Sequence, residues 1–441
     1  MTVIDLGEVT HEDAGPAVPL NHRRLLRVLL AVLTVAGVLA VAGSAHGTPP
    51  GLRPLWITPL NMENDAVALD GDTAYLARTG VGVGDTPTLA AYNLATGEMR
   101  WSTPTGDQLA GYSPRPAGDV VLAPVDPVTV SHNEENGDRY FYITVRTTIA
   151  LDAATGDELW RVNGDAHPSV PTGTALVAEH DRQNRVVGLR AVKLRDGAEL
   201  WHLALPPLAD WTPLPDFDHP EAIATVTQNG TASVYGFADG KLRKTGRLPW
   251  DGEGVVTSIA PTGPNFAVSH DQIASGTMTT VYDSGTFKAL WFADYVAPCG
   301  ALACSSYFDG LSARDPATGR VVWNLPATHD GWQVGADRTL VGADRNNNQL
   351  QLVDSRTGKL LGRPVTGMAA PGSGEADSVL VTRPSLDPVG QLVVTRVDLA
   401  DGRQTPLGRF GPSGDQTVCL SSPGYLACPR YDGLHVMGVD P

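Results

Sequence analysis

Charge is scarce in this sequence. Only 18% of its 441 residues are charged, and 48 Asp and Glu outnumber 32 Lys and Arg, a formal net charge of −16 at pH 7. No basic run lies beyond the N-terminal region. That excludes sequence-independent attachment to nucleic acid, which needs Lys and Arg against phosphate. Cysteine is scarcer still, with four in the chain, no two of them adjacent and none in a Cys-x-x-Cys-His haem signature. Also missing are Gly-x-Ser-x-Gly, His-Glu-x-x-His and a Gly-rich loop leading into a helical pattern. Their absence removes the common signatures of serine hydrolases, zinc peptidases and nucleotide-binding folds. Long apolar runs are lacking too, with one exception near the N-terminus.

What the chain has in quantity is turn chemistry, with 48 Gly and 34 Pro beside a hydrophobic content of 42%. It is organised around residues 150–160 (ALDAATGDELW). This stretch reads as a strand, a tight turn and a second strand. Asp152 and Thr155 can hydrogen-bond the turn amides, and Gly156 can take the positive φ that closes the turn. Good copies stand at 91–101 (AYNLATGEMRW), 191–201 (AVKLRDGAELW), 281–291 (VYDSGTFKALW) and 312–323 (SARDPATGRVVW). Weaker copies stand at 235–244, 352–361 and 397–407. Trp101 to Trp323 spans 222 residues in five steps, about 44 residues each. That period, with β-rich sequence between copies, predicts an all-β propeller of four-stranded blades occupying residues 52–441.

Ahead of it, residues 1–24 read as a polar, disordered cytoplasmic tail that ends at Arg23 and Arg24. Within 25–45, residues 28–45 (VLLAVLTVAGVLAVAGSA) run without a charge behind Arg27. This predicts a transmembrane helix or signal anchor with the N-terminus inside and the propeller outside the cytoplasmic membrane. The small residues Gly43, Ser44 and Ala45 leave a second reading open, a secreted product cut near Ala45. Residues 46–51 form a Pro-bearing spacer.

The two ends of the propeller complement each other. Residues 52–56 (LRPLW) resemble the last strand of a repeat without its first half, and 433–441 (GLHVMGVDP) stop where a turn is due. The termini are therefore expected to pair in one blade and close the ring. A literal tally gives nine units. Because ordinary propellers have four to eight blades, eight is the expectation, nine stays open, and 235–244 is the doubtful copy. Cys299 with Cys304, and Cys419 with Cys428, bracket short turns at the same stage of their repeats. In an exported chain they read as two hairpin disulfides. A zinc site needs all four sulfurs gathered from distant units.

The pattern Ala-x-Asp-x-x-Thr-Gly-x-x-x-Trp resembles the repeat of the PQQ-binding-like (quinoprotein alcohol dehydrogenase-like) β-propeller family, most clearly at 91–101, 150–160 and 312–323. The resemblance implies that Trp101, Trp160, Trp201, Trp291 and Trp323 pack between neighbouring blades. It also implies structural roles for Gly97, Gly156, Gly319, Asp152 and Asp315. Quinoprotein dehydrogenases of the family carry adjacent cysteines over the cofactor and acidic and amide ligands for calcium. Without an adjacent pair, the chain reads as a non-catalytic member with no cofactor.

Other clusters are ordinary by their surroundings. In 344–348 (DRNNN) oxygen ligands alternate as in a calcium loop, but Gln349 stands where the turn glycine belongs and Ser355 where the bidentate glutamate does. Residues 216–219 (DFDH) read as an exposed connection and 132–135 (HNEE) as a hairpin tip. The function expected is a monomeric, membrane-anchored scaffold for an envelope protein, peptide or glycan. The alternative is a quinoprotein-like enzyme, or a small-ligand or metal sensor, using the central channel.

Overall fold

A computed structural model describes residues 51–440 apart from 81–85, 107–108, 110–112, 134–138, 250–254, 273–275, 308–309, 327, 336, 345–348, 373–376 and 412–417. The tail, the apolar segment and the 344–348 loop apart from Asp344 lie outside these residues, as do Glu134 and Glu135. Among the described residues no helix is long and apolar enough to cross a membrane.

Strands mostly of five to eight residues, many of them joined by glycine-bearing turns, build nine four-stranded antiparallel sheets. Blades 1 to 8 run in chain order over 66–104, 115–163, 165–204, 210–247, 255–293, 295–326, 329–366 and 368–410, and blade 9 combines 420–439 with 52–58. In each of blades 1 to 8 the first strand is innermost and the fourth outermost. Innermost strands of neighbouring blades touch.

The count is nine, not eight. The doubtful copy is a full turn of blade 4, between Thr231–Gly236 and Leu242–Arg247. Its Gly236 N–H donates to Lys241 O at 2.9 Å and its Gly240 N–H to Gly236 O at 2.9 Å. These repeat the bonds from Asp152 to Asp157 O (2.9 Å) and from Gly156 to Asp152 O (2.8 Å) in blade 2. What made the copy look weak was a side chain, Lys244 in the tryptophan's place. The backbone that defines the blade is intact.

Ring closure is also observed. Leu52–Thr58 pairs antiparallel with Gly433–Val439, from Leu52 opposite Val439 to Thr58 opposite Leu434. Asp440 N–H donates to Gly51 O at 2.9 Å, the turn bond of the other blades made across the two ends of the chain. The core is divided the same way. Each of nine buried clusters joins two adjacent blades, as Tyr75, Leu89 and Trp101 of blade 1 join Val121, Ile149 and Leu151 of blade 2.

The tryptophans lie at these joints. The indole N–H of Trp56, Trp101, Trp160, Trp201 and Trp323 donates to a turn carbonyl of the next blade at 2.7 to 2.9 Å, on Leu94, Ala153, Leu194, Phe237 and Ser355 respectively. A Cβ added to Gly97, Gly156, Gly197, Gly240, Gly319 or Gly358 would stand 2.5 to 2.9 Å from the incoming indole. Glycine is thus required twice, for the positive φ (75° at Gly156) and for the ring. Blade 4 supplies Lys244 instead of tryptophan, and the next turn has Phe287 at φ 61° where glycine would be. The Lys244 ammonium sits 5.6 Å from the Phe287 ring. At this joint a side chain on the turn takes the room an indole occupies elsewhere.

Candidate functional site

Each blade presents its Asp/Thr/Gly turns to one side and its second-to-third-strand hairpins and blade-to-blade connections to the other. The turn side is uniform. Asp152 Oδ1 accepts the N–H groups of Ala154 and Thr155 at 2.9 and 3.0 Å, and Asp315 Oδ1 those of Ala317 and Thr318 at 3.1 and 2.8 Å. The Arg195 guanidinium at Asp152 and the Thr318 hydroxyl at Asp315 (2.9 Å), followed by these backbone N–H groups, hold both carboxyls below the usual Asp range. The groups are half-buried and hold turns closed.

The loop side varies from blade to blade. Blade 2 extends Val120–Asn133 and Arg139–Asp152, 14 residues each, where the same strands of blade 1 have six. Blade 8 extends Ser378–Leu386 and Val389–Asp398. Its tip bears Leu386 and Val389 opposite each other, 86% and 85% exposed. The Arg409 guanidinium donates to Asp387 O in that turn at 2.9 Å.

The innermost strands of blades 2 to 4 bring together groups that no repeat position announced. The Arg115 guanidinium donates to Asp165 Oδ1 at 2.5 Å and to Ala166 O at 2.6 Å. His167 Nε2 lies 3.2 Å from Asp165 Oδ2. The His167 ring meets Trp211 edge-on at 5.6 Å and Phe217 at 5.3 Å. Alternation along Asp165–Ser169 puts Asp165, His167 and Ser169 on one face. Ser169 Oγ donates to Asp218 O at 3.1 Å, docking the 216–219 connection over the strand. In that connection Asp216 Oδ1 accepts the His219 N–H at 2.6 Å, and all four residues are exposed. No three His, Cys, Asp or Glu form a metal-ligand group among the described residues.

Two carboxyls in this region are driven apart. Burial alone would raise Asp165, but the hydrogen bond and charge of His167 and of Arg115 outweigh it and hold the carboxyl well below the usual range. Asp210 has no salt-bridge partner among the described residues, only the more distant charge of His167. Burial pushes it up to about 6, against hydrogen bonds from Ile259 N–H at 2.8 Å and from its own neighbour Trp211. His180 is lowered, chiefly by burial, and its Nδ1 has no hydrogen-bond partner.

The sign for Asp210 follows directly. The folded chain keeps a proton between about pH 4 and 6 that the unfolded chain has released, so its contribution to stability falls as pH rises through that window and is level above it. Asp210→Asn cannot ionise, so it is expected to lack the loss of about 3 kcal/mol that Asp210 brings to wild type between pH 4 and 7.5, two pKa units at roughly 1.4 kcal/mol each. Its amide meets the N–H groups of Trp211 and Ile259 with only one acceptor oxygen, a fixed cost that does not change with pH. Urea melts at pH 4 and 7.5 check this; a difference independent of pH contradicts it.

The signal for this region was present but faint. An Asp opens or immediately precedes the innermost strand at Asp65, Asp165, Asp210 and Asp294. The cysteines are as expected, Cys299–Cys304 and Cys419–Cys428 being disulfide-bonded in first-to-second-strand hairpins of blades 6 and 9.

Residues 49–210 match the family model described as outer membrane protein assembly factor BamB. These repeats are PQQ-like. Turn bonds, glycines and tryptophans of the same kind recur in later blades. Among solved structures, a eukaryotic initiation factor aligns over 91% of this chain and 94% of its own, with TM-score 0.55 and 11% identity, which shows the fold alone. BamB from Moraxella catarrhalis aligns over 88% and 97%, with TM-score 0.42 and 14% identity. The dihydro-heme d1 dehydrogenase NirN aligns over 79% and 68%, with TM-score 0.42 and 13% identity. No curated protein sequence matches the chain.

Proposed function

We propose that the propeller is a non-catalytic scaffold, held outside the cytoplasmic membrane by the apolar segment 28–45, whose loop side binds an envelope protein, peptide or glycan. The observation that carries this reading is the inequality of the two sides. A uniform, hydrogen-bonded turn side maintains the ring, while the loop side displays a pair of extended hairpins, one tipped by exposed Leu386 and Val389. Rigid display of that kind binds with little ordering cost. The match to the BamB family model is in keeping with it.

The test is crosslinking pull-down of the full-length chain from its native membrane, with mass spectrometry. Reproducible envelope proteins captured by wild type, and lost at least fivefold with Leu386→Ser/Val389→Ser, are expected. No captured partner, or capture unchanged in the variant, overturns the reading.

A second reading places a small ligand at the innermost strands of blades 2 to 4, favoured by the Arg115, Asp165, His167 and Trp211 grouping. PQQ does not fit the residues present. The cysteines form two separated hairpin disulfides rather than an adjacent pair, and no described metal-ligand group exists for calcium.

A further inference from the structure

The joint between blades 5 and 6 differs from the rest. Its buried cluster consists of Ala267, Val281, Trp291, Ala293, Val296 and Ala303, half of it alanine. The Trp291 indole N–H reaches Pro316 O at 3.4 Å, where the other five tryptophan bonds measure 2.7 to 2.9 Å. A cavity of about 670 Å³ opens there between the outer strands, lined by residues that include Trp291, Phe292, Ser312, Arg314, Val321 and Asn324.

Arg314 is out of pattern. It precedes the turn Asp, a position held in the other eight blades by Tyr92, Leu151, Val192, Tyr235, Tyr282, Val353, Val397 and Val439. Its guanidinium lies 5.5 Å from the Trp291 ring centre. Its Nε donates to Ser305 Oγ at 2.9 Å and Nη1 to Gly319 O at 3.0 Å. Both acceptors are uncharged. The side chain is thus fixed by two bonds and a ring, with its second amino group unused and no described carboxylate paired to it. Asn324 Nδ2 is held on Ser312 Oγ at 3.0 Å. Phe292, 65% exposed, and Val321 form an apolar rim.

We propose that this groove binds an extended peptide segment of a partner, with a carboxylate side chain on Arg314 and apolar side chains against Phe292 and Val321. A stacked guanidinium with a free edge suits a carboxylate better than a neutral group. Its chemistry selects an acidic peptide even though the whole chain is itself acidic. The outermost strand Ala289–Ala293 offers unpaired backbone groups along the same edge for an extended chain. The proposal deepens the scaffold reading by naming the chemistry of a partner segment, at a place separate from the loop side.

The experiment is fluorescence anisotropy with the purified full-length chain and a fluorescein-labelled pentapeptide carrying a central glutamate, a phenylalanine on each side and serines at the ends. A matched peptide with a central glutamine is the comparison. Saturable binding of the glutamate peptide is expected, at least tenfold tighter than the glutamine peptide. Arg314→Met, which restores the apolar character of the other blades and is expected to melt normally, should abolish that preference. Equal binding of the two peptides to wild type, a preference retained in Arg314→Met, or no saturable binding overturns the proposal. The pull-down separates this outcome from failure of the scaffold reading, because Leu386→Ser/Val389→Ser leaves the groove untouched.

Discussion

Without residues 51–58, the propeller is expected to lose at least about 5 kcal/mol, because Trp56 alone belongs to a class whose truncation to alanine costs about 3 to 5 kcal/mol. Trp56 is half-buried and Leu52 buried, and the Trp56 bond to Leu94 O at 2.8 Å goes too. With roughly 2.1 cal/mol/K of unfolding entropy per residue over some 390 residues, the thermal midpoint falls by about 6 °C or more. The loss also bares the edge of Gly433–Val439, a strand buried along its whole length. An uncovered apolar edge promotes association between chains. Calorimetry with light scattering reads both effects. A midpoint within 1 °C of wild type, with no added scattering, shows that the closing strand does not hold the ring.

Gly156→Val should cost at least about 4 kcal/mol, since a β-branched residue is poorly tolerated at positive φ and overpacking adds about 1 to 3 kcal/mol. Its Cβ would stand 2.6 Å from the ring of the buried Trp101 and 2.7 Å from the Thr103 hydroxyl. Trp101→Ala should cost about 3 to 5 kcal/mol by itself. The pair should not add. Removing the indole vacates the space the valine needs, so the double variant is expected to be at least 1 kcal/mol more stable than the sum of the single losses. Denaturant melts of all four proteins form the cycle. Strict additivity would mean that ring and glycine do not share one joint.

The same joint explains what was legible in the sequence. Turns such as 152–157 are closed by groups within six residues of one another, so residue types alone announce them. Tryptophan and glycine mark the two sides of a joint, and their recurrence revealed the period. The blade count failed at one place for a physical reason. Between blades 4 and 5 the indole is replaced by Lys244 and the glycine by Phe287, so both markers vanish together while the backbone bonds persist. A prior of at most eight blades then outweighed a tally of nine. The Arg115, Asp165, His167 and Trp211 grouping was illegible for another reason. Its members come from three blades, and only the fold brings them within hydrogen-bond or ring contact. Arg314 was legible in principle as one charge in a column of Tyr, Leu and Val, but only once the nine repeats were in register.

The bond from Asp440 N–H to Gly51 O gives the molecule an unusual freedom of connectivity. The two ends of the propeller occupy the site of one ordinary turn, so the ring has nine equivalent turn sites of which this chain leaves one open. A four-residue Ala-Ala-Thr-Gly linker between Asp440 and Gly51, copying the one between Asp152 and Asp157, would turn residues 51–440 into a covalent circle. Reopening that circle at another turn would generate circular permutants of one and the same ring.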